Sequence, residues 1–138
     1  ADDAPLLAAA AGSAGRLEKG VPVFTTMVFG HMGKYIVHFS ERIERLGIPN
    51  VAIFALDDAA EQICRAQADA LGFPRICLRG QRRTALQKYE VVLAYVFLGW
   101  DVFWFDFDSV WLKNPVPFLE DLVAGRALFP GAATAAAA

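Results

Sequence analysis

The sequence predicts an α/β fold with a mostly parallel, Rossmann-type sheet flanked by helices. Short apolar segments alternate with segments of helical periodicity along the middle of the chain. The clearest apolar segment, Val51–Leu56, is hydrophobic at every position, which is typical of a strand covered on both faces. Two helical segments end at a glycine followed by a proline, where a helix cannot continue. Alternating strands and helices are the pattern of parallel α/β sheets.

Seven elements follow from this pattern. The predicted strands, in chain order, are Val21–Val28, Val51–Leu56, Arg75–Leu78 and Asp101–Phe105. The predicted helices cover residues 32–46, 58–71 and 84–98. The first helix carries an apolar stripe at steps of four and three residues, formed by Met32, Ile36, Phe39, Ile43 and Leu46. We expect the first, second and fourth strands to be adjacent and parallel, with functional residues beyond their carboxyl ends.

The composition indicates one globular domain with low-complexity ends. The chain has 138 residues, of which 56% are hydrophobic and 20% charged, so a sizeable core is expected. We divide it into a low-complexity lead-in at residues 1–20, a folded domain at 21–122 and an alanine-rich tail at 123–138. A capping helix around Pro5–Ala11 is the alternative reading of the lead-in.

Net charge, the length of apolar runs and the cysteine count limit the partners and sites that the sequence predicts. The net charge is −2 and there is no broad basic field, which argues against a nucleic-acid partner. No apolar run approaches ~18 residues, so no membrane span is predicted in this chain. Cys64 and Cys77 match no zinc or redox spacing, and one disulfide or two buried thiols are both compatible with the sequence.

Two carboxylates follow the very apolar fourth strand. Asp106 and Asp108 are two residues apart, and alternate side chains of an extended segment share a face, so the two can converge while Phe107 turns into the core. Converging carboxylates repel unless a cation or a proton lies between them. Mg²⁺ and Mn²⁺ prefer oxygen ligands and often join carboxylates to substrate phosphates. The alternative is that both residues are exposed turn residues or helix caps.

The surrounding residues follow a recognisable order: a helix with a lysine, a glycine-aromatic turn, an apolar strand, Asp-x-Asp, then Val-Trp-Leu and a proline. They are Lys88, Leu93, Leu98–Val102, Asp106, Asp108, Val110–Leu112 and Asn114–Pro115. This order resembles the nucleotide-diphospho-sugar transferase family of GT-A glycosyltransferases, which includes plant and algal arabinosyl- and xylosyltransferases. The resemblance covers about residues 21–122 and is strongest over 88–115.

The resemblance implies a GT-A-like domain that binds a UDP-sugar with Mn²⁺ (or Mg²⁺) and belongs to a retaining glycosyltransferase. The acceptor would be a glycan or glycoprotein, in the Golgi or secretory-pathway lumen. It implies that Asp108 binds the metal directly and that Asp106 contacts the ribose or a metal-bound water. It also assigns Lys88 to the donor side of the catalytic site.

Three further residues are donor-site candidates by the same resemblance. Thr25 and Thr26, taken as the end of the first strand, would face the nucleotide, and Asp57 would approach the base. Each candidate has a simpler alternative. Asp57 has the position of a helix cap, and the Lys88 ammonium can extend to solvent.

Two other groups of residues allow a ligand-binding and a plain structural interpretation. The tryptophans and phenylalanines around the fourth strand are either a carbohydrate platform or core residues, and aromatic strand residues usually pack inward. Arg79, Arg82 and Arg83 precede a helix, where they either bind phosphate or form a solvated loop.

The length predicts an incomplete catalytic domain. The chain continues about 30 residues past Asp108, whereas a catalytic domain of this kind needs about 200 or more. We therefore expect weak donor binding, no appreciable sugar transfer by the chain alone, and a protein partner that covers the missing half. The alternative function is that of a truncated or degenerate transferase domain acting as a non-catalytic structural subunit of a larger assembly.

Overall fold

The computed structural model describes residues 4–71, 76–80, 86–107 and 111–125. The helices are α1 (Ala4–Ala14), α2 (Gly33–Leu46), α3 (Asp58–Leu71), α4 (Gln87–Phe97) and α5 (Val116–Val123). The strands are β1 (Val23–Val28), β2 (Val51–Ala55), β3 (Ile76–Arg79) and β4 (Val102–Trp104). A 3-10 turn at Gly30–Met32 connects β1 to α2.

The four strands form one parallel sheet in the order β3-β2-β1-β4. β1 lies between β2 and β4, with Phe24 opposite both Val51 and Phe103. The prediction that the first, second and fourth strands are adjacent and parallel is therefore confirmed. The chain extends the sheet from β1 towards β3 and then returns to the other side of β1 for β4.

Helices cover both faces of the sheet because β1 and β2 are apolar on both sides. Phe24 and Val28 of β1 pack with α2 and α3 on one face, where Ile36, Phe39 and Ile43 of the predicted stripe are buried. Met32 and Leu46 complete the stripe as partly buried residues against the same core. On the other face, residues of β1 and β2 pack with α1 and α4, and this cluster contains Val23, Phe54, Val91 and Tyr95.

The segment assigned to a low-complexity lead-in contributes to this second face. α1 buries Leu6 and Ala10 against α4, and Leu17 follows in the same cluster. The Ser13 hydroxyl lies 2.9 Å from the Tyr95 hydroxyl and donates to the Ala10 carbonyl at 2.7 Å. The structure therefore shows the helix alternative, and residues 4–17 belong with the packed part of the chain. Local composition concealed this because alanine and serine suit a tightly packed helix as well as a loose segment.

One helix, α5, was not predicted from the sequence. α5 begins after Asn114, whose Oδ1 accepts a hydrogen bond from the Val116 amide at 2.9 Å.

Cys64 of α3 and Cys77 of β3 form a buried disulfide, so the disulfide and not the pair of free thiols is the correct alternative. Across the described part of the chain no helix is long and apolar enough to cross a membrane. Residues 126–138, most of the predicted alanine-rich tail, lie outside the described ranges.

Candidate functional site

The topology singles out one place on the carboxyl edge of the sheet. The strand order reverses at β1, because β2 lies on one side of it and β4, which comes later in the chain, lies on the other. Ligands of open α/β sheets bind outside the carboxyl ends of the strands, at the point of reversal. The segments that flank this point are Phe29–Met32 after β1 and Phe105–Phe107 after β4.

Asp106 is exposed at this edge because it lies between two inward-facing rings in the segment after β4. Phe105 and Phe107 turn inward and are each 5% exposed, whereas the Asp106 side chain between them is exposed to solvent. The Phe105 amide still bonds to the Thr25 carbonyl at 3.2 Å, so the segment leaves β1 only after this residue. The indole N–H of Trp104 donates to Oδ1 of Asp106 at 3.4 Å. The prediction that Phe107 turns into the core is confirmed.

An aromatic cluster lies beneath Asp106. The Phe39 ring of α2 stacks on Phe105 at a centroid distance of 5.2 Å and meets Phe107 at 5.0 Å. The Trp111 ring contacts Phe105 edge-on at 5.1 Å. These rings pack against one another and against the core, as aromatic pairs do in protein interiors. The core alternative, and not a carbohydrate platform, accounts for these residues.

Asp108, the second predicted metal ligand, lies outside the described residues. Further along the chain, the Trp111 carbonyl accepts a hydrogen bond from Nε of Arg42 at 2.7 Å. The convergence of Asp108 with Asp106 therefore stays a prediction. Its basis is the alternation in the preceding residues, where Phe105 and Phe107 face the core and Asp106 faces solvent.

Asp57 is used as a helix cap. Its Oδ1 accepts the Ala60 amide at 2.8 Å, at the start of α3, and its Oδ2 accepts the Gly30 amide at 2.9 Å. A Cβ on Gly30 would lie 2.6 Å from the Cβ of Ala59, so the turn after β1 needs glycine to approach α3 this closely. Both carboxylate oxygens thus bind backbone amides, which favours the cap over contact with a nucleotide base.

Replacing Asp57 by alanine should lower the free energy of unfolding by about 1–2 kcal/mol, because two backbone amides lose their acceptor. Asp57→Asn should fall between alanine and wild type, since its side chain keeps one acceptor and brings an N–H group towards the second amide. Urea unfolding measures both losses. Asp58→Ala is the matched control, because the Asp58 side chain is almost fully exposed. An equal loss in the two alanine variants would contradict the capping role.

Thr25 and Thr26 are not at the end of β1. Pairing with β2 continues through Met27 and Val28, so both threonines lie in the middle of the strand and are 0% and 1% exposed. Within the described ranges neither hydroxyl has a hydrogen-bond partner. The sequence pattern placed them at the carboxyl end, and the structure corrects this position. Phe29 and Gly30 are the residues that leave β1 at the candidate site.

Lys88 lies at the same edge of the sheet as Asp106. It is the second residue of α4, and this helix begins beside the residues that follow β3. A Cβ on Gly80 would lie 2.7 Å from Oε1 of the buried Gln87, which shows how closely the two segments approach. Nζ of Lys88 lies 5.1 Å from the centroid of the exposed Tyr89 ring. The half-buried lysine therefore combines a packed stem with an ammonium group near the surface.

Of the three arginines proposed from the sequence for phosphate binding, the structure describes only Arg79. Its guanidinium forms ion pairs with Asp58 at 2.9 Å and with Glu61 at 3.6 Å. These contacts join the end of β3 to the first turn of α3. Arg82 and Arg83 lie outside the described ranges.

The donor set described at this edge is sparse. In the described part of the chain, no group of three or more histidine, cysteine, aspartate or glutamate side chains is close enough to hold a metal ion. Ions such as Mg²⁺ are usually bound through one or two carboxylates and the phosphates of the substrate, without a complete protein cage. An exposed Asp106 fits this second type of site.

Comparison with known proteins adds no assignment. No protein-family model, no curated protein and no solved structure shows significant similarity to this chain. The fold and the residues at its carboxyl edge are therefore the basis of the proposed function.

Proposed function

We propose that this chain is the nucleotide-sugar-binding part of a GT-A-type glycosyltransferase. The observation that carries the proposal is the exposed Asp106, which lies two residues after β4 beside the reversal of strand order in an all-parallel sheet. The Asp-x-Asp sequence and its resemblance to the transferase family add the choice of ligand, a UDP-sugar with Mn²⁺. Retaining transfer to a glycan or glycoprotein acceptor is proposed on that resemblance alone.

The residues of the site have distinct proposed roles. Asp106 and Asp108 would hold Mn²⁺ (or Mg²⁺) with oxygen ligands, with Asp108 as the stronger ligand. When bound, the metal supplies positive charge that stabilises a departing diphosphate. Lys88, at the same edge, adds a second positive charge on the donor side. Phe29 and Gly30, which follow β1, replace Thr25 and Thr26 as the proposed nucleotide contacts of this segment.

The disulfide supports a location in the secretory pathway. Disulfides persist in oxidising compartments and are rare where thiols are kept reduced. Cys64 and Cys77 are the only cysteines of the chain, and they are joined. An oxidising lumen such as the Golgi agrees with the location that the resemblance implies.

Calorimetric titration with UDP tests the proposal. Wild-type protein should bind UDP with Mn²⁺ and should lose most of that affinity when EDTA replaces the metal. Asp106→Asn should weaken binding by about tenfold and Asp108→Asn by about a hundredfold or more, because substitutions of residues that only support metal ligands already cost about 10–100-fold. The loss arises because an amide lacks the charge of a carboxylate ligand.

The matched control is Asp101→Asn. Asp101 is an exposed aspartate that precedes β4 at the amino edge of the sheet, so it shares the strand with Asp106 but not the site. It should leave the affinity unchanged. UDP affinity that is independent of Mn²⁺, or equally affected by the substitutions at positions 101 and 106, would refute the proposed site.

A second candidate function is that of a non-catalytic subunit. Its support is an apolar outer face on and just before α4, where the side chains of Leu86, Tyr89, Leu93, Val96 and Phe97 are 52–75% exposed. Beside it, a groove of about 200 Å³ runs between α1 and α4. Contiguous apolar surfaces of this kind often mark protein contacts.

Sedimentation combined with UDP titration separates the two functions. A structural subunit should associate in the wild type, lose the association in Leu93→Glu, and show no Mn²⁺-dependent affinity for UDP. A donor-binding part of a transferase should keep that affinity in both proteins, because Leu93 lies on the outer face of α4 and outside the proposed metal site.

A further inference from the structure

We propose that Phe39 and Arg42, both on α2, are positioning residues that hold the Asp106 segment from either side. The two residues are one helical turn apart, and each contacts a different part of the chain after β4. The inference rests on the proposed function for its metal-binding readout, while its structural readout is independent of any ligand.

Phe39 fixes the residues on both sides of Asp106. Its buried ring stacks on Phe105 with an interplanar angle of 26°, and it meets Phe107 at 53°. One side chain of α2 therefore contacts both neighbours of the exposed carboxylate. Since Phe105 and Phe107 must face Phe39, the residue between them must face solvent.

Arg42 fixes the chain further on. Nε donates to the carbonyl of Trp111 at 2.7 Å in a partly buried hydrogen bond that spans 69 residues of sequence. A charged donor makes this bond stronger than a bond between neutral groups. A second, longer bond from Asn114 to the Gly47 carbonyl, at 3.4 Å, joins the same segment to the end of α2. The chain is thus attached to α2 at Phe105 and Phe107 and again at Trp111.

This arrangement is suited to holding a carboxylate in place. Ligand groups must be held to within about 0.5 Å of their working geometry by neighbours that are themselves fixed. Phe39 and Arg42 supply such neighbours although neither side chain is proposed to touch the metal. Phe39 also belongs to the buried core, so only the loss of the Arg42 bond should be confined to the Asp106 segment and to metal binding.

The test compares Arg42→Ala, Arg42→Lys and Arg45→Ala by amide hydrogen exchange and by Mn²⁺ binding in the presence of UDP. In Arg42→Ala, exchange at the Phe105 amide, which bonds to the Thr25 carbonyl, should accelerate about tenfold. Mn²⁺ affinity, followed by electron paramagnetic resonance, should fall about tenfold. Arg42→Lys should restore part of both, since its ammonium can donate to the same carbonyl. Arg45, an exposed arginine one turn along α2, is the control and should change neither.

Three results distinguish the possibilities. Equal exchange at the Phe105 amide in Arg42→Ala and Arg45→Ala would overturn the inference. So would an equal acceleration at Ile53 and Phe54 of β2, because the contact would then stabilise the whole fold and not one segment. If wild-type protein binds no Mn²⁺ with UDP, the proposed function fails, while the exchange data still decide the positioning role. Phe39→Leu, which keeps an apolar side chain, should repeat the local acceleration.

Discussion

Asn50→Ala should lower the free energy of unfolding by about 4 kcal/mol. Asn50 is 4% exposed and joins the start of β2 to the segment before β1. Its Oδ1 accepts the Glu18 amide at 2.6 Å, and its Nδ2 donates to the carbonyls of Glu18 at 2.7 Å and Val21 at 3.0 Å. Alanine would remove all three bonds. It would also have to adopt the left-handed conformation, φ 55°, that asparagine tolerates.

Two variants separate the causes of this loss. Asn50→Gly removes the side-chain bonds but accepts a positive φ, so it should be less damaging than alanine by about 1 kcal/mol. Asn114→Ala is the control, because Asn114 makes one side-chain bond of 2.9 Å and one of 3.4 Å outside the core. Urea unfolding of all three proteins gives the comparison. Equal midpoints for Asn50→Ala and Asn114→Ala would show that the three-bond cluster does not stabilise the sheet.

Removing the disulfide should lower the free energy of unfolding by about 3 kcal/mol, the value expected for closing a loop of about 15 residues. The bond between Cys64 and Cys77 spans 13 residues of sequence. It ties β3, an edge strand, to the middle of α3. Wild-type protein with a reductant and the double variant Cys64→Ala/Cys77→Ala should unfold at similarly reduced urea concentrations.

The ion pair between Arg79 and Asp58 joins the same two elements as the disulfide but should stabilise the fold much less. Arg79 and Asp58 also join β3 to α3, but their side chains are 37% and 97% exposed. Exposed ion pairs contribute little to stability because water and salt screen them. Arg79→Ala should therefore cost far less than loss of the disulfide. A larger loss in Arg79→Ala than in the double cysteine variant would contradict this ranking.

The parallel sheet was predictable because its signals are local. Apolar runs and helical periodicity indicated four strands and three helices in the correct order, and the predicted bounds of α3 agree with the structure. β1 and β4 are shorter than predicted: β1 begins at Val23 and not at Val21, and β4 covers only Val102–Trp104. Hydrophobic pattern alone does not determine where hydrogen bonding between neighbouring strands stops.

The misses concern contacts between distant parts of the sequence. Asn50 follows a helix-ending Gly and Pro, and nothing near it in the chain indicates that it binds residues 18–21. Phe39 was predicted as a core residue, but its contact with both neighbours of Asp106 depends on how α2 lies on the sheet. α5 did carry a local signal, the Asn-Pro pair before an apolar and acidic stretch, which is typical of a helix start.

The stabilising contact of Asn50 and the proposed ligand site lie at opposite edges of the sheet. Asn50 and Asp101 precede β2 and β4 at the amino edge. There the Asn50 side chain joins the start of β2 to the segment before β1. Asp106, Gly30 and Lys88 lie at the carboxyl edge, where ligands of parallel sheets bind. Asp106 and Lys88 were proposed from pattern and resemblance, and their roles stay predictions. Gly30 takes the place of Thr25 and Thr26 in the proposed site because β1 ends at Val28.

Paramagnetic broadening by Mn²⁺ in amide NMR spectra tests the proposed site most directly. With UDP present and a small fraction of one equivalent of Mn²⁺, the amides of Phe105–Phe107 and Gly30 should broaden first. Those of Asn50 and Asp101, at the opposite edge, should remain sharp, and Mg²⁺ should broaden none of them. Earlier broadening at Asp58 and Glu61 of α3, or equal broadening at both edges of the sheet, would contradict a metal-nucleotide site at Asp106.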